Sequence, residues 1–411
     1  MKNWTTCNLE DYIKLIDYRG RTPVKTESGV RLITAKNVKL GYLQLEPQEF
    51  IAEDNYESWM TRGIPNFGDV IFTTEAPLAN VAQIDTHEKL AFAQRIIVMQ
   101  PDSQKLNQTF LKYLLISDSV REMILDNGTG ATVTGIKSKL LKKIRISFPS
   151  LPEQQRIVSI LDHCFEAIDK AKANAEQNLQ NAKELFESYL QGVFESGNWK
   201  TERFEVLCDL ITCGVASTPK YVDEEIGVPF LSAQNVRNGE VVLDKYRFIS
   251  KEFHEHLTKK NMPQKGDILY SRVGAKYGEA AVVEHDFEFS VYVSLTLIKP
   301  KKGKLNNYFL KYLLNSPSIK DMAKKSISSS GVPNLNVKSV RGFEIVCPPL
   351  SIQENLVKEI EKLQIATQQL QSHYQKRIDD LEELKKSILQ KAFAGELKTE
   401  KVVEELEEIQ L

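Results

Sequence analysis

The second half of the chain restates the first. LITAKNVKLGYLQL, starting at Leu32, matches FLSAQNVRNGEVVL, starting at Phe230, so that Ala35, Asn37 and Gly41 fall on Ala233, Asn235 and Gly239. Pro65, Gly68 and Asp69 meet Pro263, Gly266 and Asp267 at the same spacing of 198 residues. One residue further out of step, LNQTFLKYLLIS from Leu106 meets LNNYFLKYLLNS from Leu305, and ESYLQGVF from Glu187 meets KSILQKAF from Lys386. A register that drifts by a residue or two across both halves is the mark of one structural unit used twice, and missing it would misassign the whole fold. GNWKTE from Gly197 also resembles GELKTE from Gly395, which suggests that the end of the last helix returns beside the N-terminus.

Each copy closes on a long helix. From Pro152 to about Phe194 the only glycine is Gly192 and there is no further proline. Leu161, Ile168, Ala175, Ala182 and Tyr189 recur every seven residues, interleaved with Cys164, Ala171, Asn178, Leu185 and Gly192. The second helix repeats the register with Ile360, Thr367, Tyr374, Leu381 and Ile388, and with Leu363, Leu370, Arg377, Leu384 and Lys391. Alternating steps of three and four over more than four heptads predict a coiled-coil seam. The two helices are expected to pack antiparallel on one another, with Asn178 and Arg377 either setting register or pointing into solvent. The expected class is α+β: two similar mixed α/β domains and two long helices forming an antiparallel coiled coil, a pseudo-two-fold internal repeat. The expected boundaries are 1–150, 151–196, 197–349 and 350–396, with an acidic tail over 397–411.

Chemistry is harder to find. The fit of GATVTGIKS, from Gly130, to a phosphate-binding loop fails because Ile136 separates Gly135 from Lys137, and the lysine must follow the glycine directly. No acidic pair, no methyltransferase tetrad and no zinc spacing stands out; His254 and His256 lie in a lysine-rich stretch and read as solvated. The five cysteines are scattered, which suits reduced, mostly buried thiols. No metal and no catalytic residue is expected. The opening MKNWTTCNLEDYIK lacks an apolar leader and no stretch is long enough to span a membrane, so a cytoplasmic location without membrane partners is expected. A net charge of −1 is low for a chain that holds DNA phosphates alone, so local patches or partner subunits would have to supply that field.

Polar loops do recur at equivalent places. NGTGATVTGIKSKLLKKIR in the first copy carries Thr129, Gly130, Thr132, Thr134, Lys137 and Lys139; its counterpart SISSSGVPNLNVKSVRG carries Ser329, Ser330, Asn334, Asn336 and Lys338. Lys36 and Asn37 stand opposite Gln234 and Asn235, Thr73 and Thr74 opposite Ser271 and Arg272, and Arg19 and Arg21 opposite Thr218 and Lys220. Small residues followed by cations can track DNA phosphates, and Asn or Gln amides can pair with adenine in the major groove. The plain alternative is that the identical Asn37 and Asn235 cap a turn and the basic run is a solvated face. Between copies the framework is kept while TGATVTG and SSGVPNL diverge, as expected of two readers with different targets.

Taken together, the repeated ITAKNV/LSAQNV and GDVIFTT/GDILYSR strands, the NQTFLKYLL/NNYFLKYLL helices and the FPSLPEQQRIV/CPPLSIQENLV helix openings resemble the specificity subunit of a type I restriction–modification enzyme over essentially the whole chain. The resemblance implies two target-recognition domains, each reading half of a bipartite double-stranded DNA site, with the helices setting the spacer. It also implies docking of two methyltransferase subunits, which bring S-adenosylmethionine, and of ATP-dependent restriction subunits that can join them; the specificity subunit itself holds no cofactor and is not an enzyme. The rivals are a free-standing DNA-modifying enzyme, which would transfer methyl groups unaided, and a coiled-coil scaffold with no DNA role.

Overall fold

The computed structural model describes residues 4–20, 22–130, 133–197, 199–217, 219–327 and 332–397. The chain divides into two units, 1–175 with 376–411, and 176–375.

In the first unit the centre is a four-stranded antiparallel sheet in the order Ile13–Asp17, Ile96–Pro101, Val70–Thr73, Val81–Gln83. Its strands are nearly continuous apolar runs because both faces are covered. Val70, Phe72, Ile97 and Met99 point into one buried cluster, while Ile71, Ile96 and Val98 point into another, the two-residue alternation of a strand sorting them by face. The second cluster lies against a smaller sheet, Phe50–Ile51, Val30–Ile33 and Leu90–Phe92, whose last pair is parallel. The first cluster is closed by the helix Gln108–Ile116 and by the start of the long helix Leu151–Ser196. Leu389, Ala392 and Phe393, from the end of the second long helix, Leu350–Ala394, fill the same cluster, with Trp4 and Leu397 packed beside them.

The second unit repeats this plan. Its central sheet runs Cys208–Cys213, Leu295–Pro300, Ile268–Ser271, Ala280–Val282, and its smaller sheet also ends in a parallel pair, Gly227–Leu231 with Ser290–Val291. Ile268 and Tyr270 face one cluster and Leu269 the other. Leu190 and Phe194 from the end of the first long helix occupy the place that Leu389 and Phe393 hold in the first unit. His254 departs from its expected solvated state. It is 4% exposed, on the helix Lys251–Thr258, with its Nδ1 2.9 Å from Ser290 Oγ; the ring is accommodated because a polar partner stands within the core. His256 is exposed. All five cysteines are free thiols; Cys208 is buried and the others half-buried.

A buried glutamine fixes each long helix to its domain. Gln154, fully buried, accepts a hydrogen bond from Asn107 N (2.8 Å) and donates to the carbonyls of Lys105 and Pro149 (both 2.9 Å). Gln353 does the same with Asn306 N (2.8 Å) and the carbonyls of Lys304 and Pro348 (3.0 and 2.8 Å). Both asparagines cap the following helix, so a single amide joins helix start, cap and strand end with every polar atom satisfied.

Within the first unit the long helices run antiparallel: Asp169 pairs with Lys385 (2.7 Å) and Lys172 with Glu382 (2.6 Å). Within the second, Tyr189 donates to Glu359 (3.4 Å). Leu161, Ile168, Ala175, Ala182, Ile360 and Thr367 are buried as the heptads predict. The interleaved row is not. Leu185, Leu370 and Leu384 are 51%, 41% and 47% exposed, and Asn178 and Arg377 are exposed too. Two helices in contact cover only a narrow stripe of each other. Small side chains at Ala175, Ala182 and Thr367 keep the buried row close, and the neighbouring row faces outward. Ile378, one residue along from Arg377, is the buried residue there. Among the described residues no helix is long and apolar enough to cross a membrane, and no group of three or more His, Cys, Asp or Glu could hold a metal ion.

Candidate nucleic-acid interface

In each unit a polar loop is clamped at its base against the end of a central strand. In the first unit Thr129 and Gly135 exchange two backbone hydrogen bonds (2.8 and 3.0 Å), and Ile136 N donates to Thr74 O (2.9 Å). The clamp fits tightly around a glycine: a Cβ on Gly135 would sit 3.1 Å from both Thr74 O and Glu75 Cβ. Gly130 has φ +127° and its added Cβ would lie 2.2 Å from Val133 O, so this turn is closed to other residues. In the second unit Leu335 N donates to Arg272 O (2.8 Å), Gly274 N to Pro333 O (3.1 Å), and Ile327 bridges to Leu335. The bond from the loop exit to the strand end is common to both units, while the bridge across the loop base falls on Gly135 in the first and on Leu335, the counterpart of Ile136, in the second.

Between loop and strand end, the first unit has a cleft of about 450 Å³ lined by Arg19, Thr74, Glu75, Gln94, Arg95, Thr129 and Lys137, with Gly20, Val133, Gly135 and Ile136 completing it. Arg19 is pinned: it pairs with Asp17 (2.5 Å) and donates to Ile136 O (3.2 Å), the carbonyl at the loop exit. Burial works to raise the Asp17 carboxyl, and the hydrogen bonds and charge of Arg19 outweigh it, holding Asp17 below the usual carboxylate range. The hydrogen bonds that Arg19 donates to Asp17 in turn raise Arg19. Arg95 pairs with Glu75 at 2.9 Å, and Gln94 Nε2 donates to Thr22 Oγ1. Thr74 Oγ1 is buried with no hydrogen-bond partner among the described residues.

The expected contact residues divide sharply. Asn37 and Asn235 are 1% and 0% exposed. Asn37 Oδ1 accepts from Thr34 N (3.0 Å) and its Nδ2 donates to the carbonyls of Gln44 and Pro47 (both 3.1 Å). Asn235 does likewise with Ser232 N (3.0 Å), Val242 O (3.0 Å) and Lys245 O (2.9 Å). Their amides are consumed in holding a turn, so the expectation that they read adenine is corrected. Thr73 and Ser271 are corrected on the same ground. Both are fully buried, and their hydroxyls donate to Pro77 O (2.6 Å) and Lys276 O (2.8 Å). Arg272 is 7% exposed, with its guanidinium spent on Leu335 O (2.8 Å), Val293 O (3.0 Å) and Asn334 Oδ1 (2.9 Å); it supports the loop from beneath. Asn336 is exposed, but its Oδ1 caps the helix Val337–Arg341 through Lys338 N (2.9 Å).

Lys36, Thr129, Gly130, Thr134, Lys137, Lys139, Lys220, Gln234, Asn334 and Lys338 are exposed. Gln234 also donates to Lys245 O (3.2 Å). Arg21, Thr132, Thr218, Ser329 and Ser330 lie outside the described residues. The sequence reading did not single out Glu75, Gln94 or Arg95, although these positions differ between copies. It also passed over Val133 and Val332, equivalent loop residues left 46% and 68% exposed.

A mixed α/β domain built twice, with a long helix after each copy and a differently furnished loop on each, defines a two-headed recognition protein. The chain belongs to the type I restriction modification DNA specificity domain family, which matches residues 1–179 and 197–390. It is 25% identical to the EcoBI type I restriction enzyme specificity subunit of Escherichia coli over 77% of this chain and 71% of that protein. It is 22% identical to the MjaIX specificity subunit of Methanocaldococcus jannaschii over 82% and 79%. The fold matches a chain from work on complex assembly and conformational transition of the type I R-M system, with a TM-score of 0.76, 20% identity and 97% and 99% coverage. It also matches the HsdS subunit from Thermoanaerobacter tengcongensis, with a TM-score of 0.58, 19% identity and 96% and 98% coverage.

Proposed function

We propose that this chain is the non-catalytic specificity subunit of a type I restriction–modification complex, reading one half of a bipartite DNA site with each unit. The observation that carries the reading is the clamp: in each unit the base of a polar loop is bridged to the end of a central strand, while the loop sequences, TGATVTG and SSGVPNL, differ. Similar clamps with different side chains are what two readers of different sequences require. Lys137 and Lys139 beside the first loop and Lys338 beside the second are exposed cations placed to meet phosphates.

The long helices act as the spacer rule. The first has 46 residues, or roughly 69 Å at about 1.5 Å per residue. The outward-facing leucines, Leu185 and Leu370 in one unit and Leu384 in the other, offer apolar surface for two methyltransferase subunits. These subunits bring S-adenosylmethionine, and ATP-dependent restriction subunits join through them. A net charge of −1 is then sufficient, because the partners share the contacts with the phosphates.

Two assays test the reading. The pure chain incubated with labelled S-adenosylmethionine and mixed-sequence DNA should transfer no methyl group, and transfer by the chain alone would make it an enzyme. Inserting one heptad into the first long helix should lengthen the spacer and leave both half-sites intact. Altered half-site bases with an unaltered spacer would contradict the ruler.

A further inference from the structure

The cleft of the first unit contains three cations with different freedom. Arg19 is held by Asp17 and by the loop-exit carbonyl. Lys137 stands exposed at the rim, at the N-cap of the short helix Ser138–Leu141. Arg95 lies between these two, paired at one nitrogen and open at the others. Its Nε lies 2.9 Å from Glu75 Oε1, and its terminal nitrogens have no other partner among the described residues. Its side chain is 45% exposed and lines the cleft. Its backbone sits at φ +71°, a left-handed conformation costly for a residue with a side chain, and strain of this kind gathers where a side chain must be aimed. Arg95 O also accepts the hydrogen bond from Thr74 N (2.9 Å), tying the residue to the strand end on which the loop is clamped.

The second unit supplies the contrast. Its equivalent backbone bond runs from Arg272 N to Ser294 O (2.9 Å), so Ser294 stands where Arg95 does. Val273 replaces Glu75 at the bridge to the loop, and Val293 replaces Gln94. Ser294 is not among the residues with positive φ. The same frame thus carries a buttressed guanidinium in one unit and small or apolar side chains in the other.

Resting on the specificity-subunit reading, we infer that Arg95 is a specificity-determining residue of the first unit, presenting its guanidinium fork to the O6 and N7 acceptors of a guanine in that unit's half-site, with Glu75 as the residue that positions it. A fork held by a carboxylate at one edge and open at the other matches those paired acceptors, which no other base offers in the major groove. A phosphate contact would need neither the buttress nor the fixed aim. The second unit, with valine and serine at these places, does not read guanine in this way.

The test is methylome sequencing of a host lacking other DNA methylation, carrying the full chain together with a type I methyltransferase subunit that assembles with it. The wild-type chain should give one bipartite motif. Arg95→Gly, which suits the left-handed backbone, should make one guanine position of one half-site degenerate and leave the other half-site unchanged, with discrimination at that position falling roughly 5- to 150-fold. Arg95→Lys keeps the charge and loses the fork, and should relax the same position; it also answers the case in which the glycine variant fails to fold. Glu75→Gln should weaken discrimination at that position only. An unchanged motif in both Arg95 variants, or an even loss of methylation across all sites, overturns the inference and leaves the specificity reading standing. A wild-type chain that directs no bipartite motif overturns both.

Discussion

The two units solve one structural problem with different residues. Each must hold the exit of a polar loop against a strand end, and each does it with a guanidinium on the exit carbonyl. In the second unit the group comes from directly beneath, from Arg272, almost wholly buried and bonded to Leu335 O, Val293 O and Asn334 Oδ1. In the first it comes from the side, from Arg19, about 30% exposed and shared between Asp17 and Ile136 O. The difference has a consequence for the cleft. With Thr74 in place of Arg272, the floor in the first unit is open to Glu75 and Arg95. In the second unit Val273 and Ser294, the counterparts of Glu75 and Arg95, line two separate clefts of about 370 and 240 Å³. The supporting residue and the residues displayed above it thus change together between the units.

The strongest test of a shared frame is to remove equivalent supports. Phe393→Ala and Phe194→Ala empty matching places against Phe110 and Phe309. Each should cost about 3–5 kcal/mol, with loss of amide-exchange protection confined to its own unit. Unequal costs, or loss in both units, would break the equivalence. Next, Arg272→Met strands two buried carbonyls and should destabilise the second unit by about 3 kcal/mol. Arg19→Met should cost about 1 kcal/mol or less, because water can replace its partners. Denaturant titration of both variants measures the gap, and equal values would refute the two modes of support. Lys137→Ala should weaken DNA binding across sequences and reduce the magnitude of the salt slope by about 0.9, read by titrating binding of the complex against salt. A slope that does not change removes Lys137 from the phosphate contacts.

The smallest effect is a pH dependence. Asp17 titrates lower in the fold than in the unfolded chain. Its stabilisation is therefore complete above the unfolded value of about 3.9 and is lost as pH falls through the folded one. Asp17→Asn should flatten the acid side of the stability profile, and a profile unchanged by this substitution would show that the pair contributes nothing.

Much of this was legible in the sequence, for a physical reason. A repeated scaffold keeps the residues that pack, so Phe110 and Phe309 or Gln154 and Gln353 announce themselves by recurring. The same logic, applied to the end, would have removed Asn37 and Asn235 from the candidate readers: an amide kept identical in two copies with different targets belongs to the frame. Side-chain chemistry alone cannot separate an amide that caps a turn from one that meets a base, because both use the same donor and acceptor. Arg272 was misplaced because a charged residue at a strand end reads as surface, whereas its acceptors are contributed by residues 21 to 63 positions away. Arg95 was missed for the opposite reason, since its importance lies in differing from Ser294. Along the helices, spacing gave the heptads and half of the seam. It could not show that Ile378 rather than Arg377 turns inward, since both lie within one step of the expected position.

The central claim is that each loop, on its shared frame, belongs to one half-site. Replacing residues 128–135 with 327–334 in the chain, and determining the methylated motif of the assembled complex, tests it directly. The account predicts a changed first half-site with the second half-site and the spacer as before. A motif identical to that of the unmodified chain, or one altered in both halves, would contradict it.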